Sequence, residues 1–170
     1  MYKASLGKSV KLGTIIGTII LAFLILTMLL IFVVKLMSGT FVREDIMIPI
    51  FTLVFFAILN YMYGERIKGY DITDVGVTVI KGNTSELIKR DRIIEVKFID
   101  KSDLNFSIRT FGIGGFFSYS GTFVNKKMGS MTWYITQKDS LVMLVTKLDK
   151  IIISPDNREE FLNDVKKMLS

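Results

Sequence analysis

Two pairs of aspartates have the spacing that paired-carboxylate chemistry would use. Asp71 lies three residues before Asp74, and Asp100 lies three residues before Asp103. Both pairs fall in predicted turns, where aspartate is favoured because its side chain hydrogen-bonds to the local backbone. A catalytic pair would need a pocket that raises the pKa of one carboxyl group, and the sequence indicates no such pocket. We interpret all four as turn residues.

A glycine-rich segment at residues 112–115 (Gly-Ile-Gly-Gly) could suggest a phosphate-binding loop. Such a loop must open a helix, and a P-loop also needs a Lys-Ser or Lys-Thr pair. The next residues, 116–119, read Phe-Phe-Ser-Tyr and are typical of a strand. The segment is therefore predicted to be a turn or a β-bulge between strands.

The sequence contains neither cysteine nor histidine. This composition excludes the usual zinc sites, Ser-His-Asp triads and Cys-His pairs, because the groups that bind or react are missing. We therefore expect no metal site, no cofactor and no enzymatic activity. The alternative is an enzyme that uses only carboxylate, lysine or tyrosine groups.

Five basic residues are candidates for contact with lipid or with a protein partner: Arg66, Lys68, Arg109, Lys126 and Lys127. A basic residue close to an anionic membrane surface gains about 1 kcal/mol. The alternative is ordinary solvated charge, which we favour for a further basic cluster at residues 89–92.

The net charge of +6 is spread along the chain. Residues 1–64 carry five Lys or Arg against two acids, and residues 65–170 carry seventeen against fourteen, so each part contributes +3. No dense basic stripe results, and we expect no nucleic-acid partner.

Two uncharged apolar runs, at residues 12–34 and 46–63, precede the rest of the chain. A helix needs about 20 apolar residues to span a hydrocarbon core of about 30 Å. The first run is too long for a cleaved signal peptide, and no small-residue cleavage site follows it. We predict two transmembrane helices within an anchor at residues 1–64. The alternative for the second run is a buried helix of the globular domain.

The short connection between the runs predicts an antiparallel helix hairpin in the cell membrane. Five Lys or Arg residues flank the side that holds both termini, against Lys35 and Arg43 on the other side. The positive-inside rule therefore predicts a multi-pass protein with both termini in the cytoplasm.

Small residues recur along the first helix, where Gly13 and Gly17 have GxxxG spacing. Small residues let membrane helices approach closely. We favour packing against the second helix of the same chain, and dimerisation is the alternative.

Beyond residue 65 the apolar pattern alternates, as is typical of half-buried antiparallel strands. The predicted strands include residues 76–80, 93–100, 104–109, 131–136, 141–146 and 150–154. In two of them the residues predicted to share one face are Ile94, Val96 and Phe98, and Leu104, Phe106 and Ile108. The regular spacing of short strands predicts a sandwich or a barrel.

An amphipathic helix is predicted at the C-terminus. Ser154 can cap it, with Pro155 at its first position. Phe161, Leu162 and Val165 fall on one apolar stripe, which should dock on the β structure.

The glycines and aromatic residues of 109–117 and 121–123, with Lys127-Met128-Gly129 and residues 153–156, resemble a bacterial pleckstrin-homology-like family found in small membrane proteins. The resemblance covers about residues 70–169. It implies that the domain at residues 65–170 is a barrel or sandwich of about seven antiparallel strands with one C-terminal helix. It implies no catalytic residue, and such domains often act as adaptors or in assembly.

These observations predict a membrane-tethered, non-enzymatic binding or assembly module. Its expected partners are the lipid bilayer and either another protein or further copies of itself. The alternative is recognition of anionic lipid headgroups by the basic loops.

Overall fold

The computed structural model describes all 170 residues. Two helices come first, α1 at Lys8–Met37 and α2 at Met47–Gly64, joined by a connection with a 3₁₀ turn at Arg43–Ile46. The prediction of two long apolar helices is confirmed. Helix α1 extends beyond its predicted bounds at both ends, and at its C-terminal end no glycine or proline follows the apolar run before Gly39, whose φ is +70°.

Both helices are long and apolar enough to cross a membrane. None of the residues in their most apolar windows is buried by the rest of the protein. The alternative that the second helix is a buried core helix is therefore wrong. An exposed apolar surface of this extent is far larger than a monomeric soluble protein usually presents.

The remainder of the chain is mostly β structure. A two-residue strand, β1 at Tyr2–Lys3, precedes α1. Nine strands follow α2: β2 Ile67–Thr73, β3 Gly76–Lys81, β4 Ser85–Lys89, β5 Ile93–Phe98, β6 Ile108–Phe116, β7 Ser118–Asn125, β8 Gly129–Ile135, β9 Val142–Thr146 and β10 Lys150–Ile153. Helix α3, at Arg158–Leu169, ends the chain.

The strands form two sheets, with the orders β1-β2-β3-β4 and β5-β9-β10-β8-β7-β6. Neighbouring strands are antiparallel, except that β8 and β10 are parallel. The structure thus has more strands than the seven or so that were predicted, and one pair departs from the antiparallel rule. Strand β4 lacked an alternating signal because Ile88 is its only buried residue.

The main core lies between the sheets and beneath α3. Its fully buried side chains include Tyr70, Val77, Val79, Leu144, Ile153, Phe161 and Val165. A second cluster on the six-stranded sheet contains Met131, Trp133, Ile135 and Ile152. The predicted strand at residues 131–136 and the predicted apolar stripe of the C-terminal helix are both confirmed. Residues 133–136 are buried on both faces of the sheet, however, so the predicted half-buried alternation is wrong there.

Two strand predictions fail for local reasons. A bulge between Ile93 and Glu95 shifts the register of β5, so Ile93 and Val96 are buried while Ile94 and Phe98 are exposed. Residues 104–107 do not continue a strand.

The segment at residues 104–107 separates a 3₁₀ turn at Lys101–Leu104 from β6. Leu104 is buried, whereas Phe106 and Ile108 are exposed. The predicted shared face of these three residues is therefore wrong.

The predicted cap of the C-terminal helix is also wrong. Helix α3 begins at Arg158, and Asn157 caps it by accepting a hydrogen bond from the Glu160 N–H at 3.3 Å. Ser154 is fully buried, and its hydroxyl oxygen accepts from the Thr136 N–H at 2.9 Å. Ser154 therefore serves the core and not the helix.

The N-terminal residues belong structurally with the β domain. Strand β1 pairs with β2, with Tyr2 opposite Tyr70 and Lys3 opposite Gly69. A side chain at Gly69 would overlap the Tyr2 carbonyl oxygen, so this pairing requires glycine. The predicted anchor at residues 1–64 therefore begins with a segment that the structure places in the sheet.

A buried hydroxyl joins the two sheets. The Tyr70 hydroxyl donates to the Tyr134 carbonyl at 2.7 Å and accepts from the Ser154 N–H at 3.0 Å. Burial raises the pKa of Tyr70 to about 12, so the hydroxyl remains a donor at physiological pH.

We expect Tyr70→Phe to lower the free energy of unfolding by about 1–3 kcal/mol, because it leaves the buried Ser154 N–H without an acceptor. Thermal unfolding in detergent, followed by Trp133 fluorescence, measures the change. Tyr61→Phe is the matched control, since the Tyr61 side chain is 67% exposed. Equal unfolding midpoints for the two variants would contradict this role of the hydroxyl.

Candidate functional site

The tip of the β6–β7 hairpin, residues 114–118, rests on the small-residue face of α1. A side chain at Gly17 would overlap the Phe116 ring, and a Cβ at Gly13 would lie 3.4 Å from the Gly115 carbonyl oxygen. Between them the Thr14 hydroxyl oxygen accepts a hydrogen bond from the Phe117 N–H at 2.8 Å. The GxxxG residues therefore accommodate a β-hairpin of the same chain. This corrects the predicted packing of Gly13 and Gly17 against the second helix.

The hairpin tip also contacts α2. The Phe117 ring packs edge-to-face on Tyr63, with ring centroids 5.5 Å apart, and Phe116 packs on Phe117 at 4.8 Å. Phe117 has a φ of +62°, in a region that a bulky side chain rarely adopts. The tip is thus held between the domain-side ends of both helices.

A hydrogen-bonded N-terminal clamp, formed by residues 1–7, fixes the start of α1. The Gly7 N–H donates to the Thr136 carbonyl at 2.9 Å, and the Thr136 hydroxyl donates to the Ser5 carbonyl at 2.9 Å. Ser5 also donates to Asp156 from its N–H at 2.9 Å and from its hydroxyl at 2.6 Å. Helix α1 begins at the next residue, Lys8, so its direction is set by the β domain.

The end of α2 is fixed in a similar way. The Asn83 N–H donates to the Gly64 carbonyl at 2.9 Å, and Lys81 forms an ion pair with Glu65 at 2.9 Å. Gly82 packs so closely that a Cβ there would lie 2.5 Å from the Gly64 carbonyl oxygen. Both helices are therefore joined to the domain without a flexible linker.

Two of the predicted basic candidates lie at this α2–β2 junction and are occupied by local contacts. Arg66 donates to the Tyr63 carbonyl at 2.7 Å, and its guanidinium lies 3.6 Å from the centroid of the Tyr63 ring. Lys68 donates to the Gly82 carbonyl at 3.1 Å.

The other three basic candidates lie elsewhere. Arg109 is on exposed β6, where its guanidinium covers Gly114. Lys126 and Lys127 occupy the β7–β8 turn, at the end of the hairpin opposite its tip. An extended strand of this length spans about 26 Å. The structure therefore does not bring the five residues together.

Lys127 forms an ion pair with Asp103. This pairing lowers the pKa of Asp103 and raises the pKa of Lys127. The Asp103 carboxylate also accepts from the Asp100 N–H at 3.0 Å. The predicted turn role of Asp100 and Asp103 is confirmed.

An apolar surface that the sequence did not indicate lies on one face of the β6–β7 hairpin. Ile108 pairs with Val124 and Phe111 with Thr122, so these residues point away from the buried Phe123. Ile108 is 69% exposed and Phe111 78%. We call Phe106, Ile108, Phe111 and Val124 the hairpin face.

Phe106 is the most unusual member of the hairpin face. It is 96% exposed and has a φ of +55°. It lines an open hollow with Ile108, Val124 and the two lysines of the β7–β8 turn. A strained backbone that holds a large aromatic ring in solvent gives the fold no stability, and such strain is often found at functional positions. The alternating sequence pattern wrongly suggested that this ring was buried.

The sequence matches the family model of the bacterial PH domain over residues 68–169. The chain belongs to this family. The match begins in β2 and ends with α3, so the two apolar helices and the N-terminal clamp lie outside it. No curated protein and no solved structure matches the chain.

The glycine-rich segment of the PH domain is a bulged strand, as predicted. The pairing of β6 with β7 shifts between Arg109 and Phe111 and again between Gly114 and Phe116. Gly112, at φ +102°, faces Gly121, at φ +133°, and a Cβ on either would overlap the opposite backbone. These glycines shape the hairpin that reaches the helices.

We expect Thr14→Val to speed amide exchange at Phe117 by about 2- to 10-fold, because a hydrogen bond contributes about 0.5–1.5 kcal/mol. Hydrogen exchange of the hairpin peptide, read by mass spectrometry on the full chain in detergent, measures it. Thr18→Val is the matched control, one helical turn farther along α1. If both variants leave the exchange unchanged, the Thr14 hydroxyl does not hold the tip.

Proposed function

We propose that this protein is a membrane-tethered, non-enzymatic module whose PH domain binds a protein partner or a second copy in the cytoplasm. One observation carries the proposal: two uncovered apolar helices enter the PH domain through hydrogen-bonded junctions at both ends. A bilayer is the medium that such helices require. The domain would then be held at a fixed height and orientation above the membrane.

The distribution of basic residues supports a cytoplasmic domain. Lys8 and Lys11 lie in the first turns of α1, and Arg66 follows α2, at the same end of the helix hairpin. The opposite end carries only two basic residues, Lys35 and Arg43, and Lys35 pairs with Asp45 at 2.6 Å. Positive charge is retained preferentially on the cytoplasmic side.

The hairpin face is the surface best suited to a protein partner. Two of its side chains, Ile108 and Phe111, project from the edge strand β6, whose backbone is not paired on its outer side. Aromatic side chains are enriched in the centres of protein interfaces, and a strand edge can accept an added strand. The bulges in β6 interrupt that edge, which supports side-chain recognition over simple strand addition.

A non-enzymatic role is supported by the state of the carboxylates considered above. Asp103 pairs with Lys127, and Asp71 lies 3.1 Å from the N-terminal amino group. Each of these two carboxylates is therefore engaged in a structural contact.

Recognition of anionic lipid headgroups is the second candidate. It is favoured by the position of Lys126 and Lys127 beside Phe106 and Ile108, since lysines that flank apolar side chains suit an anionic membrane surface. The ion pair between Lys127 and Asp103 weakens it, because it leaves less net positive charge at the turn.

The topology can be tested with single cysteines, because the chain has none of its own. We expect Thr40→Cys, in the connection between the helices, to react with a membrane-impermeant maleimide on intact cells. Ser170→Cys should react only after the cells are opened. Labelling of Ser170→Cys from outside would place the PH domain on the other side of the membrane.

Site-specific photo-crosslinking tests the hairpin face. A benzophenone amino acid at Phe106 should form a discrete crosslinked species in cells, because this ring is free to enter an interface. The same group at Leu148, which is 86% exposed, is the matched control. Identical crosslinking patterns at the two positions would remove the hairpin face as a binding surface.

Flotation with lipid vesicles separates protein binding from recognition of lipid headgroups. The full chain in neutral phosphatidylcholine nanodiscs should not float with phosphatidylglycerol vesicles. Salt-sensitive flotation that Lys126→Glu/Lys127→Glu abolishes would instead support headgroup recognition. The full chain is needed because residues 1–7 form part of the folded domain.

A further inference from the structure

The depth of the hairpin tip relative to a bilayer follows from the lengths of the two helices. The ion pair of Lys35 with Asp45 places the end of α1 and the start of α2 at one level. A hydrocarbon core of about 30 Å corresponds to about 20 helical residues at 1.5 Å each. Counted from this pair, the opposite boundary falls near Ile15 on α1 and near Glu65 on α2. The count along α2 ends at its junction with the PH domain, whereas the count along α1 ends about two turns beyond the N-terminal clamp.

The residues that hold the hairpin tip lie at this boundary. Gly13 and Gly17 lie on either side of Ile15, and Tyr63 is two residues before Glu65. Phe116 packs on Gly17, and Phe117 packs on Tyr63. The tip therefore lies at the depth where hydrocarbon meets the headgroups.

The chemistry of the tip suits that depth. Phe116 and Phe117 are only half-buried by the protein, so part of each ring faces its surroundings. Backbone polar groups are costly near hydrocarbon unless the protein satisfies them. The Phe117 N–H, exposed by the tight turn, is satisfied by the Thr14 hydroxyl at 2.8 Å and needs no water.

We propose that the Phe116–Phe117 tip is inserted into the interfacial layer of the inner leaflet, as a third membrane contact of the PH domain beside its two helices. The partner is the lipid itself, at the boundary between headgroups and acyl chains. The inference rests on the proposed function, since it requires α1 and α2 to span the bilayer. The hairpin tip then occupies the Gly13–Gly17 face at the cytoplasmic end of α1.

Tryptophan quenching by brominated lipids tests the proposal on the full chain in proteoliposomes. The single native tryptophan, Trp133, is 1% exposed and supplies a constant background. Phe117→Trp reports on the tip, and Phe116→Trp is a second reporter in case the first disturbs the turn. Val75→Trp is the control, because Val75 is 61% exposed at the far end of the β2–β3 hairpin.

We expect lipids brominated near the carbonyl group to quench Phe117→Trp several-fold more than Val75→Trp. Adding Gly17→Val should reduce this quenching, because the new side chain would displace Phe116. Gly13→Ala should reduce it less, since a Cβ there makes an ordinary contact at 3.4 Å.

Phe23→Trp separates a failure of this inference from a failure of the proposed function. Phe23 lies near the middle of α1 and is 68% exposed. If Phe23→Trp is quenched by lipid while both tip reporters behave like Val75→Trp, the tip is outside the membrane and the inference is overturned. If Phe23→Trp is not quenched either, α1 does not span the bilayer and the membrane tether itself is wrong.

Discussion

The hydrogen bonds between the first seven residues and the PH domain determine how the rest of the molecule is arranged. Thr136 accepts from Gly7 and donates to Ser5, and its own N–H is held by Ser154, which also bonds to Tyr70. One buried chain of polar contacts thus links the N-terminus to both sheets. Because α1 starts immediately after Gly7, the direction of this apolar helix is set by the core of the β domain.

Regular periodicity decided what could be predicted from the sequence. The two apolar helices, the strand at residues 131–136 and the apolar stripe of α3 have patterns that repeat over several turns or residues, so the presence of these elements follows from the sequence. Strand β1 has two residues and no period, and its partner is more than sixty residues away. The bulge in β5 changes which residues face inward without changing the sequence alternation.

The candidate site was less predictable, since spacing specifies the shape of a surface but not what contacts it. Gly13 and Gly17 indicated a close approach, yet the approaching element is a β-hairpin and not a helix. The basic candidates were chosen by charge alone, which does not reveal that Arg66 is half-buried against Tyr63 or that Lys127 pairs with Asp103. The alternating pattern placed Phe106 in the core. Its backbone φ of +55° breaks the strand at this point, and the sequence pattern does not indicate this.

The pairing of β1 with β2 has a consequence for biosynthesis. Strand β1 is synthesised before both apolar helices, but its partner β2 is made only after them. If both helices cross a bilayer as proposed, the four-stranded sheet can therefore be completed only after α2 has returned the chain to the side that holds β1. A nascent chain inserted with a single crossing would leave β1 and β2 on opposite sides of the membrane. If the helices span the bilayer as proposed, two crossings are required for a finished sheet, and misinserted copies would carry an incomplete domain open to proteolysis.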